Sequence, residues 1–173
     1  MPRVEKEIIE DVSKMTVTQC RSAYKKLTKE YEKIKDGFYR DEIAEICDEI
    51  KKKGHSMEII EFPDEKIPDN LKEKNKEAFI EKECNRMFER ITGKDYVVAL
   101  CIEGKEMNSK KHKECIEKAK ENGFDQIIYV IGGSLGLPEK MKQRANLKLS
   151  FSKMTFPHQM MRMVLCEEIK NVL

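Results

Sequence analysis

Gly132-Gly133-Ser134-Leu135-Gly136 follows directly on an apolar run, QIIYVI, at residues 126–131. Ligands of α/β proteins collect where strands end at their carboxyl termini. Glycines there allow close approach of the backbone and positive φ. The spacing is not GxGxxG, so a dinucleotide fingerprint is not supported. Two readings stay open from the residues alone: a tight structural turn or a ligand cradle. A second apolar run, YVVALCI at 96–102, ends in the same way at Glu103-Gly104-Lys105. A third segment, Phe151-Ser152-Lys153-Met154-Thr155-Phe156, lies between a short strand signal and the start of a helix. His158 and Arg162 stand one turn apart on that helix, on one face. They suit either an interface pair or contacts to phosphate or base.

Other chemistry is sparsely provided. The six cysteines, at 20, 47, 84, 101, 115 and 166, contain no CxxC pair. Their scatter suits reduced thiols in the cytoplasm and no metal site. The chain has 173 residues, enough for one domain. Charged residues make up 38% but the net charge is only +2, so any nucleic-acid-binding surface must be local. No stretch is long and apolar enough to span a membrane, and the N-terminus lacks the apolar segment of a signal peptide.

The elements that must position these groups follow from hydrophobic period. Residues 1–37 read as a highly charged helical extension, with Gly37 as a plausible stop. Ile43, Ile46, Cys47 and Ile50 give one face of a helix over 38–53. MEIIEF at 57–62 reads as a short strand and 71–91 as a long charged helix. The continuous apolar runs at 96–102 and 126–131 suit parallel strands buried on both faces. Val97, Val98, Leu100, Ile127, Ile128, Val130 and Ile131 are the expected core. Between those runs lies a helix over 109–121, with Cys115, Ile116 and Ala119 inward. A short helix over 138–145 and a strand over 148–151 follow. Pro157 suits the first position of the last helix. Alternation of strand and helix from residue 38 argues an α/β domain, a mostly parallel sheet with helices on both faces. The last helix carries Met160, Met161, Met163, Val164, Leu165 and Cys166, apolar most of the way round, so two sides should be buried.

YVIGGSLGL at 129–137 and FSKMTFPHQ at 151–159, taken with VVALCIEGK at 97–105, carry a specific resemblance. From about Tyr39 onward the chain resembles the RlmH family of SPOUT-type methyltransferases. The resemblance implies a C-terminal trefoil knot, a homodimer, and methylation of N3 of a pseudouridine in large-subunit (23S) ribosomal RNA. It implies S-adenosylmethionine as cofactor, bound through Leu100, Gly133 and the run Phe151, Ser152, Lys153, Met154, Thr155 and Phe156, with Gly132 and Leu135 beside them. His158 and Arg162 would then lie near the RNA and the dimer seam. No residue is assigned as catalytic base. The resulting organisation is a helical extension over 1–37 and a methyltransferase domain over 38–173.

Two departures from the family stand out. Relatives begin with an apolar strand and a glycine turn, where this chain has AYKKLTKEYEK. Relatives also continue past the last helix with a short basic tail, where this sequence ends at Leu173. Three expectations follow: a cytoplasmic rRNA methyltransferase; a truncated or diverged relative that binds cofactor or RNA without methylating; or a small α/β binding module whose glycines are only turns.

Overall fold

The computed structural model describes residues 17–62, 85–133 and 136–173. The chain divides into two compact units, Met1–Glu42 and Ile43–Leu173. Helix α1 spans Val17–Lys52. The expected stop at Gly37 is not used. One interior glycine weakens a helix by about 1 kcal/mol, too little to break it between two runs of strong helix formers. The real stop is at Gly54, with φ of 85°. There the His55 N–H donates to the Ile50 carbonyl, closing the last turn.

Among the described residues the sheet holds three parallel strands in the order β2-β1-β3. β1 is Asp95–Glu106, β2 Gln126–Ile131 and β3 Leu147–Ser150. Helix α2, Ser109–Glu121, joins β1 to β2. Its N-terminus is capped by the Asn108 side chain, which accepts from the Lys111 N–H at 3.0 Å. Helix α3, Glu139–Arg144, precedes β3, and helix α4, His158–Val172, follows it. Pro157 is the cap residue of α4 rather than its first helical residue, with an extended ψ of 139°.

Alternation along β1 and β2 divides the core into two layers. Val97, Ala99 and Val130 pack with Leu137 and Met141 of the α3 region. Leu100, Tyr129, Ile131 and Phe151 pack on the other layer, where Ile43, Ile46 and Ile50 of α1 meet Leu165, Cys166 and Ile169 of α4. Helices thus cover both faces. Val97, Val98 and Val130 are buried as expected, whereas Leu100, Ile127, Ile128 and Ile131 are half-buried. Leu100→Ala is therefore expected to cost about 2 kcal/mol, the low end for a core leucine. A denaturant midpoint unchanged at constant slope would count against β1 as the central strand.

Two elements differ from expectation. Residues 57–62 form no strand; Ile59 and Ile60 are exposed and have no sheet partner among the described residues. β1 does not end at Glu103-Gly104-Lys105 but runs on to Glu106. Leu149 of β3 pairs with both Leu100 and Lys105, so residues 101–104 bulge past it. Gly104 makes this possible, since a Cβ there would lie 2.7 Å from the Leu149 carbonyl carbon.

Candidate functional site

Because all three strands are parallel, their carboxyl ends share one edge. The register sets Leu100 beside Ile131 on one side and Leu149 on the other. Gly132-Gly133 continues from Ile131, and Phe151 follows the end of β3. Leu100, Ile131 and Phe151 join the same apolar cluster. Leu100, Gly132, Gly133 and the start of the 151–156 run are thereby brought to one place. Leu135 lies outside the described residues.

The glycine turn is built by contact between two stretches of backbone. Gly133 and Gly136 form an isolated antiparallel bridge, with the Gly136 N–H donating to the Gly133 carbonyl at 2.9 Å. A Cβ on Gly132 would sit 2.4 Å from the Gly136 carbonyl carbon. Gly136 itself has φ of 81°, the left-handed region that glycine enters without steric cost.

The third wall is held by side chains bonding to backbone. Ser150 is buried, and its hydroxyl lies 3.2 Å from the Ile102 carbonyl and 3.1 Å from that of Ser152. Lys153 Nζ donates to the same Ile102 carbonyl at 3.0 Å. The Met154 N–H donates to Ser152 Oγ at 3.0 Å, a turn closed by the serine itself. Phe151 and Ser152 are half-buried, while Lys153, Met154, Thr155 and Phe156 are exposed. Nearby, Lys142 pairs with Glu103. That hydrogen bond holds the Glu103 carboxyl below its ordinary range and pushes the Lys142 ammonium above its own. Burial, first of all, raises the Cys101 thiol, which argues against a reactive thiolate.

His158 opens α4, and its side chain lies outside the described part. Arg162 is mostly covered. Its guanidinium donates to Gln159 Oε1 at 3.0 Å and also to the Glu61 carboxylate. Nothing in the residues around Arg162 marks Glu61, 101 residues away, as its partner.

A second polar group went unread. His112 of α2 is 1% exposed. Its Nδ1 lies 2.9 Å from Glu168 Oε1 of α4, and its Nε2 lies 2.9 Å from the Tyr129 hydroxyl of β2. Ser109 Oγ donates to the other Glu168 oxygen at 2.8 Å. Burial, and next the Glu168 carboxylate, push the Tyr129 phenol upward. The available signal was helical period. His112 stands four residues before Ile116, on the buried face of α2. A histidine on an apolar face carries no mark of its partners.

Residues 12–170 match the family described as Predicted SPOUT methyltransferase. A ribosomal RNA large subunit methyltransferase H from Streptococcus thermophilus is 45% identical over 139 residues, covering 79% of this chain and 86% of that protein. A relative of the same name from Lactococcus lactis is 43% identical over 139 residues with the same coverage. Ribosomal RNA large subunit methyltransferase H 1 from Thermoanaerobacter pseudethanolicus is 44% identical over 138 residues, covering 79% of this chain and 84% of that protein.

Proposed function

This chain belongs to the SPOUT methyltransferases and, among them, to the ribosomal RNA large subunit methyltransferase H family, and from that membership we propose that it methylates N3 of a pseudouridine in large-subunit (23S) ribosomal RNA. The observation that carries the reading is the meeting of the carboxyl ends of β2 and β3, at Gly132-Gly133 and Phe151, beside Leu100 of β1. S-adenosylmethionine, when bound, supplies a sulfonium methyl group. The proposed cofactor residues are Leu100, Gly132, Gly133, Leu135 and the run 151–156. They fit such a ligand in two ways. Half-buried Leu100, Ile131 and Phe151 offer apolar contact to an adenosine. The glycine turn brings backbone free of side chains to the strand end, where main-chain groups can meet base edges.

Within this reading the protein's task is placement, since in-line alignment supplies much of the rate of such a transfer. The Ser150 and Lys153 bonds to the Ile102 carbonyl fix the loop after β3 against β1. Arg162 and His158, at the start of α4, are proposed to meet RNA phosphate or base. RNA would take the Arg162 guanidinium from Glu61, and Gln159 would keep it oriented. No side chain is assigned to take up the N3 proton. The family's trefoil knot, a homodimer and a cytoplasmic location belong to the same proposal.

The Arg162–Glu61 pair also favours a second reading, a truncated or diverged relative that binds cofactor or RNA without methylating. Two measurements separate them. Calorimetric titration is expected to show saturable S-adenosylmethionine binding, one per chain. Tritiated methyl groups are expected to enter 23S rRNA of ribosomes that lack the modification. Binding without incorporation gives the second reading, and no binding removes the methyltransferase reading and the cofactor site with it.

A further inference from the structure

We propose that His112, Tyr129 and Glu168 are positioning residues for the cofactor crevice, locking the Gly132-Gly133 turn and the helix after the 151–156 loop into one arrangement. The inference rests on the cofactor reading above. Its basis is a buried chain of polar groups that joins three elements: Ser109 and His112 from α2, Tyr129 from β2 and Glu168 from α4.

The chain has a direction. A carboxylate only accepts, so in the neutral imidazole the proton sits on Nδ1, facing Glu168, and Nε2 accepts from the Tyr129 hydroxyl. Ser109 fills the second Glu168 oxygen. Every buried side-chain polar atom among the described residues is satisfied. Such a chain is complete in one geometry. Apolar contacts tolerate sliding by a fraction of an ångström, but this one leaves a buried donor or acceptor orphaned if α4 moves against β2.

The geometry connects the chain to the crevice through Tyr129. Its hydroxyl bonds His112, and the His112 and Tyr129 rings meet edge to face with centroids 5.8 Å apart. The body of Tyr129 packs in the cluster that holds Leu100, Ile131 and Phe151. Three residues later the strand enters the glycine turn. At the other end, Glu168 fixes α4, the helix entered directly from residues 151–156. Two of the three crevice walls are therefore tied to one histidine.

Tyr129→Phe removes one oxygen and keeps the ring. Glu168→Gln keeps the shape and removes the charge. In the full chain, both are expected to shift the amide resonances of Gly132 and Gly133 in ¹H–¹⁵N spectra recorded without cofactor. Each should weaken S-adenosylmethionine binding roughly tenfold, the loss of about one net hydrogen bond. The double variant should weaken it no further than a single one, because either change opens the same chain. If Glu168→Gln does not fold, Tyr129→Phe carries the test. Unmoved glycine resonances with unchanged affinity, accompanied only by a lower melting temperature, would reduce the network to a stabilising clamp and overturn the proposal. The glycine resonances need no cofactor. If the parent binds none, the cofactor reading fails on the titration, and the resonances still decide whether Glu168 and Tyr129 set the turn.

Discussion

Gly132→Val is expected to abolish S-adenosylmethionine binding, raising the dissociation constant by at least about a hundredfold, near 2.7 kcal/mol. The cause is contact with backbone. A Cβ at Gly132 meets the Gly136 carbonyl carbon at 2.4 Å, its oxygen at 2.6 Å and the Leu137 nitrogen at 2.7 Å. Flexible side chains can swing away from such an approach, but these atoms belong to the turn itself. The Gly133–Gly136 bridge must open, and the end of β2 changes shape with it. Overpacking of this kind costs about 1–3 kcal/mol of stability. Even Gly132→Ala should show most of the effect. Gly93→Ala is the control, because nothing lies within 4 Å of the added carbon. Titration calorimetry and thermal melting of the three variants decide the matter. A Gly132→Val protein that binds as tightly as its parent would show that the turn is not part of the cofactor site.

Gly132 also shows where sequence reasoning stopped. The strand-to-glycine pattern located the turn correctly, and positive φ is indeed required at Gly136. The need at Gly132 is a close approach to Gly136 and Leu137 within the turn, and at Gly104 a close approach to Leu149 of another strand. Local sequence encodes a dihedral preference but not which distant strand passes overhead. The same limit explains β1. Its apolar half, 96–102, was legible from burial on both faces. Its polar half, Glu103–Glu106, is a strand because Leu149 and Ser150 pair with Lys105 and Glu106, a tertiary fact. α2, β2, α3, β3 and α4 were legible because short apolar periods were bounded by Gly, Asn or Pro. Residues 57–62 had the composition of a strand, but no strand pairs with them among the described residues. His112 was not singled out; it shares the helical period of Ile116, but its role depends on Tyr129 and Glu168, 17 and 56 residues away.

The parent protein is expected to sediment as a dimer of 20.3 kDa chains, and Val164→Glu is expected to make it a monomer. α4 spends one face on its own core, through Leu165, Cys166, Ile169 and Val172. Met160, Met161 and Met163 are only half-buried, and Met163 leans on the same core. Val164 points outward, 37% exposed, so it is the residue to change. Phe156, just before the helix, is 37% exposed, and Met154 is 70% exposed. Monomeric proteins rarely leave such a group of large apolar side chains to water. A twofold contact would set this surface of one chain against the same surface of its mate, with methionines as adaptable filling. A buried glutamate on each side of the axis would face its own copy, like charge against like, without a partner. Because Val164 is exposed and is not one of the buried core residues, circular dichroism and melting temperature should change little. Methylation should fall sharply if RNA is gripped across the seam, where the exposed 151–156 run and Arg162 would meet the partner. Sedimentation velocity reads the outcome directly. A parent that runs as a clean monomer at micromolar concentration would remove the dimer, and with it any site shared between two chains.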